Sequence, residues 1–167
     1  MKDETYFFHQ TPELLAKVLI QEVGIGYDES VLEPFKGEGA FYNHLPENCQ
    51  KDWCEIEEGR DYRDHQTPVD WVISNPPFRL ETGTKRINSF YFLLEHFSEK
   101  VNKGLAFLGN DSCFSTLTPK RIKGLESKGL YLHKIVVCSI KKWRGRYFFI
   151  IFKKQPANVF KYIEGRF

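Results

Sequence analysis

Two strand-like runs near the end of the chain, Leu132 to Ser139 and Tyr147 to Lys153, are separated only by Ile140 to Arg146, and this spacing constrains the fold more than any other feature. A parallel connection needs a crossover of a dozen or more residues, so these runs must form an antiparallel hairpin. Upstream the pattern alternates. Val31 to Pro34, Asp52 to Ile56, Val69 to Ser74 and Gly104 to Leu108 read as strands bounded by turn or polar residues. A helix opens at Thr11-Pro12-Glu13, where Thr can cap, Pro suits the first position and Glu favours the positive end of the dipole. Leu15, Val18, Leu19 and Val23 are its expected buried stripe. Helical spacing predicts a long helix from Ile87 to Val101, and another starts at Thr118-Pro119, with Gly124 and Gly129 helping to end it. Strand and helix in alternation with right-handed crossovers predict an α/β fold, a doubly wound sheet in three layers that binds ligands at its carboxyl edge.

A chain of 167 residues is the size of one domain, and no linker or repeat divides it, so a single domain over 1–167 is expected. The net charge of +2 creates no global cationic field, which leaves local clusters of Lys and Arg to define any anionic partner. Met1 to Thr5 lacks a basic start followed by an apolar core, and no stretch approaches the roughly 20 apolar residues of a membrane span. A cytoplasmic protein with no membrane partner is the expectation. Cys49, Cys54, Cys113 and Cys138 form no CxxC pair and no zinc spacing with the histidines, so they read as buried free thiols and no metal is expected.

The chemistry is carried by the residues at strand ends. After the first strand comes Glu33-Pro34-Phe35-Lys36-Gly37-Glu38-Gly39, in which Gly37 and Gly39 let a ligand approach the backbone. A Gly-x-Gly pair alone is more often a plain turn. Neither a phosphate cradle ending in Lys-Ser or Lys-Thr nor the nicotinamide fingerprint is present, which argues against phosphate-rich cofactors. S-adenosylmethionine carries no phosphate; Glu33 can meet its ammonium, Glu55 at the end of the second strand its ribose, and Asp61-Tyr62 its adenine. A solvated acidic loop is the competing reading of Asp61.

The third strand runs into Asn75-Pro76-Pro77-Phe78. The Asn75 amide oxygen and the Pro76 carbonyl can accept both hydrogens of a planar amine, making its nitrogen more nucleophilic. Consecutive prolines stiffen the turn, and Phe78 offers a stacking face. Stacking on an extruded base contributes about 1–3 kcal/mol, comparable with the few kcal/mol that unstacking costs. A simple chain-terminating turn is the alternative. In Lys141 to Tyr147, Lys142, Arg144 and Arg146 can hold phosphates while Trp143 borders the base pocket, and Arg79, Lys85 and Arg86 extend the patch. A solvated hairpin tip is the bland reading.

In this order the motifs resemble the amino-methyltransferases, especially small phage- or virus-like DNA adenine-N6 methyltransferases, over nearly the whole chain, with the helix ahead of the glycine loop as in the gamma-type order. The resemblance implies a Rossmann-like class I methyltransferase fold with a mostly parallel seven-stranded sheet, and transfer of a methyl group from S-adenosylmethionine to N6 of a flipped-out adenine. It places Gln10-Thr11-Pro12 and Glu33 to Gly39 around the cofactor, Glu55 on its ribose, Asp61-Tyr62 at its adenine and Asn75 to Phe78 at the target base. Two departures stand out: Glu57 to Pro68 is too short for the usual intervening helices, and no target-recognition domain follows the hairpin. DNA is the preferred substrate, with RNA, a partner subunit supplying recognition, cytosine N4, protein glutamine and a non-catalytic binding role as the alternatives.

Overall fold

A computed structural model describes residues 10–82, 85–141 and 143–157. Strands β1 (Ser30–Glu33), β2 (Gln50–Trp53), β3 (Val69–Ser74), β6 (Val101–Asn110), β7 (Tyr131–Cys138) and β8 (Tyr147–Lys153) form one sheet in the order β2-β1-β3-β6-β8-β7. The first four run parallel, and β8 pairs antiparallel with both β6 and β7. The expected hairpin is therefore present, but among the described residues the sheet has six strands and not seven. Between β2 and β3 the chain spends its length on two single-turn 3-10 helices, Ile56–Glu58 and Tyr62–Asp64. Their charge-rich sequence has no apolar alternation to bury, and Ile56, expected in β2, is 65% exposed.

Helix α1 (Glu13–Val23) covers one face of the sheet, setting Ala16, Leu19, Ile20 and Val23 against Val31, Ile73, Ala106 and Ile151. Val18, expected in that stripe, is 47% exposed, and Ala16 and Ile20 face the core with Leu19 and Val23. On the other face α2 (Ser89–Ser98) buries Phe90, Leu93, Leu94 and Phe97 against Leu32, Val72, Leu105 and Phe107, with Leu125 of α4 (Pro119–Ser127) in the same cluster. Thr118 caps α4 by accepting from the Arg121 amide, as its sequence predicts, whereas Gly124 lies inside that helix instead of ending it.

The expected Ile87–Val101 helix is shorter at both ends. Asn88 caps α2 by accepting from the Phe90 amide at 3.0 Å, and Val101 already belongs to β6, opposite Val69. Ahead of the cap, β4 (Arg79–Thr82) and β5 (Lys85–Asn88) pair as a separate antiparallel hairpin, with Leu80 opposite Ile87. A four-residue helix, α3 (Asp111–Phe114), follows β6 directly. The four cysteines are free and buried, no cluster of metal ligands occurs among the described residues, and no described helix is long and apolar enough to cross a membrane.

At the amino edge of the sheet, Asp70 accepts from the Ser30 amide at 2.9 Å and the Ser30 hydroxyl at 3.1 Å. The Ser30 amide, set against the cost of burial, holds the Asp70 carboxyl below its usual range. A depressed folded-state pKa contributes stability that is present above the unfolded value near 3.9 and is lost as pH falls through the folded one. The stability gap between the native chain and Asp70→Asn, read from chemical denaturation at neutral pH and at successively lower pH, is therefore expected to close below about pH 4. A gap independent of pH would contradict the assignment.

Candidate active site

Strands β1, β2 and β3 end side by side, so Glu33, Glu55 and Asn75 meet at the carboxyl edge although they are far apart in sequence. Glu33 is the last residue of β1 and only 2% exposed. Its Oε2 accepts from the Tyr42 amide at 2.7 Å. Burial pushes its carboxyl well above the ordinary range, outweighing that hydrogen bond and the Lys36 charge, and the neighbouring Glu55 pushes the same way. A raised value favours the folded state while the acid is protonated, and that contribution is lost as pH rises through it.

The loop after β1 is shaped by two glycines with positive φ, +51° at Gly37 and +86° at Gly39, where other residues would be strained. They differ in surroundings. A side chain at Gly39 would press on Asn43, within 3.2 Å, whereas at Gly37 the nearest atom is Gln10 Oε1 at 3.8 Å. Gly37 thus faces a cleft lined by Gln10, Thr11, Glu33, Phe35, Lys36, Ala40, Phe41 and Asn75. Pro34 and Gly39 are buried and shape the turn without lining the cleft.

The Gly37 amide donates to Glu55 Oε2 at 2.8 Å, and the Glu57 amide reaches Oε1 at 3.3 Å. Glu55 itself lines neither that cleft nor a second one, which is lined by Cys54, Gly59, Arg60, Asp61, Asp64 and His65. Asp61 caps the Tyr62–Asp64 turn and is clasped by the Arg63 guanidinium, whose hydrogen bonds outweigh desolvation and lower its pKa. Tyr62 packs at a tilt against Phe35, 4.9 Å between ring centroids, and also on His96 and Phe97, so it extends the core up to the clefts.

Asn75 follows β3 directly. Its Nδ2 donates to Thr11 Oγ1 at 3.1 Å, so the Thr11 hydroxyl does not cap α1, whose cap position is Pro12. The Pro77 carbonyl accepts from the Ser89 hydroxyl and the Phe78 carbonyl from the Ser89 amide at 3.1 Å, which ties the turn to the start of α2. The Pro76 carbonyl accepts no backbone N–H among the described residues. Phe78 is half-buried 6.5 Å from Tyr147, which in turn lies 4.7 Å from Trp143, so three aromatic rings run from the turn toward the β7–β8 connection.

The proposed cationic patch is only partly assembled. Arg79 and Arg144 are exposed. Arg146 instead pairs with Asp111, Nε to Oδ1 at 3.2 Å, because the short α3 turns that carboxylate toward the connection. Lys142 lies outside the described residues, and for Lys85 only its place at the start of β5 is described. Sequence reasoning included Lys36 in the glycine loop but gave it no role of its own; its Nζ sits 3.7 Å above the Trp53 ring and 2.7 Å from Glu58 while the residue lines the cleft. Sequence reasoning missed Ser89, although Asn88-Ser89 is a recognisable helix-start signal.

No family model matches the sequence, and no curated protein matches it. Solved structures do. A Listeria monocytogenes protein assigned as a class I S-adenosylmethionine-dependent methyltransferase superposes with a TM-score of 0.64 at 14% identity, covering 91% of this chain and 62% of its own. A Vibrio vulnificus protein assigned as the modification subunit of a type I restriction enzyme gives 0.62 at 16%, covering 87% and 44%. A Pyrococcus horikoshii protein assigned as an RNA methyltransferase gives 0.55 at 16%, covering 92% and 91%. This chain therefore spans less than two thirds of the length of the first two. At such identities the likeness defines the fold: the chain has the Rossmann-like class I methyltransferase fold.

Proposed function

We propose that this chain is a single catalytic domain that transfers the methyl group of S-adenosylmethionine to the N6 amine of adenine in DNA. The observation that carries the cofactor half is where the loop amides point. The Gly37 and Tyr42 N–H groups, which in a phosphate-binding loop would face the ligand, are already taken by Glu55 and Glu33. Such an edge rejects polyphosphates and suits a cationic nucleoside. Glu33 would meet the ammonium, whose charge would offset the burial that raises this acid's pKa, and the remaining lone pairs of Glu55 would accept from ribose hydroxyls. The group supplies a methyl already activated by a sulfonium charge.

On the substrate side, Asn75 Oδ1 and the Pro76 carbonyl would accept the two N6 hydrogens and hold the nitrogen for in-line attack, with no covalent enzyme intermediate. Phe78, backed by Tyr147 and Trp143, offers a stacking wall for an extruded base. Arg79 and Arg144 are exposed cations suited to the phosphates on either side. Recognition of a particular sequence would come from a partner subunit, in keeping with a fold neighbour assigned as the modification subunit of a restriction enzyme.

The test is transfer of label from methyl-labelled S-adenosylmethionine to separate pools of DNA, RNA and protein, followed by identification of the modified nucleoside or residue. N6-methyladenine in DNA is the expected product. Label in RNA alone, on cytosine N4 or on protein glutamine would redirect the substrate assignment, and background transfer to every pool, with and without candidate partner extract, would overturn the enzyme reading.

A further inference from the structure

We propose that Thr11 is a positioning residue that fixes the carboxamide of Asn75 for its task, an inference that rests on the methyltransferase reading above. A threonine ahead of Pro-Glu at a helix start ordinarily turns its hydroxyl to an N–H of the first turn. Here α1 has Pro12 at its cap position and no side-chain cap, and the Thr11 hydroxyl instead accepts from Asn75 Nδ2 at 3.1 Å across 64 positions of sequence. Thr11 is 8% exposed, so this contact is sheltered from competing water.

A carboxamide has two unlike ends and a broad, roughly twofold terminal torsion, so its orientation is set by its hydrogen bonds and not by its rotamer. With Nδ2 directed at Thr11, the acceptor Oδ1 is the opposite end of the group. An inverted amide would present N–H to the amine it must receive, donor against donor. The anchor is stiff: Thr11 precedes proline, which restricts its backbone, and α1 is locked to the sheet through Ala16, Leu19 and Ile20. Thr11 also lines the cleft with Gln10, Glu33 and Gly37, so one hydroxyl links the wall of the cofactor cleft to the amide that meets the target amine.

Thr11→Val keeps the shape and removes the acceptor, while Thr11→Ser keeps the hydroxyl. Single-turnover transfer should fall roughly tenfold to a hundredfold in the valine variant. The rates are compared at saturating S-adenosylmethionine, so that a change in cofactor affinity does not enter, and the serine variant should recover most of the rate. Hydrogen exchange of the Asn75 side-chain amide, followed by nitrogen-resolved NMR, should speed up in Thr11→Val and not in Thr11→Ser. Unchanged exchange or an unchanged rate in Thr11→Val overturns the proposal, as does a serine variant as impaired as the valine one. Altered exchange in Thr11→Val, with a native protein that methylates no pool, leaves the positioning role standing and overturns the methyltransferase reading instead.

Discussion

Asn75→Ala should lower methyl transfer by about 100- to 1000-fold, the usual effect of deleting a group that meets the reacting centre. The reason is local. Alanine removes the amide oxygen proposed to accept from N6, while the Pro76 carbonyl, the Phe78 wall and the two ties from Ser89 to the turn all remain. The loss should appear in the rate of the chemical step. Cofactor affinity should hold, because the Gly37–Glu55 and Tyr42–Glu33 bonds form without Asn75. Glu55→Ala should do the reverse, weakening cofactor binding by removing both the proposed ribose acceptor and the bond that fixes the Gly37 amide. Calorimetry with S-adenosylhomocysteine beside single-turnover kinetics separates the two variants. Turnover retained in Asn75→Ala would remove the residue from the mechanism.

The same residues explain which parts of the molecule could be read from sequence. Val69 to Ser74 and Tyr147 to Lys153 are dense apolar runs bounded by polar residues, and each became a strand with the expected limits. The hairpin of Arg79 to Asn88 was hidden because Ile87, Phe90 and Leu94 also fit a helical period, and the period outweighed the turn signal of Gly83 between Thr82 and Lys85. At the carboxyl edge, the places of Glu33 and Asn75 were legible because one ends and the other follows an apolar strand, whereas Glu55 lies two residues beyond the mostly polar β2. Their partners were not. The choice of Asn75 by the Thr11 hydroxyl, of Gly37 by Glu55 and of Asp111 by Arg146 follows from how the elements pack, and no local pattern announces it.

Packing also dictates the largest expected loss of stability, at Gly104. This residue lies in β6 between Trp71 of β3 and Lys153 of β8, at the centre of the sheet. A methyl group there would stand 2.2 Å from the Phe152 carbonyl oxygen, 2.8 Å from the Trp71 ring and 3.1 Å from the Lys153 Cα. Two of these are backbone atoms of a paired strand, so no rotamer change relieves the overlap and β8 must move. Overpacking ordinarily costs about 1–3 kcal/mol, and a clash with backbone belongs at the upper end or beyond. At roughly 2–4 °C per kcal/mol for a chain of this size, Gly104→Ala should lower Tm by about 6–12 °C. Because β6 supports β3, which leads into Asn75, and β8, which carries Tyr147, the displacement should reach the candidate site before global unfolding does. Gly124→Ala is the matched control: it sits inside α4, its new methyl would meet the Tyr91 hydroxyl at 3.4 Å, and alanine favours a helix over glycine by about 1 kcal/mol. Thermal melts should show Gly124→Ala unchanged or stabilised and Gly104→Ala strongly destabilised, and equal melting of the two would show that β6 and β8 do not approach as closely as the register requires.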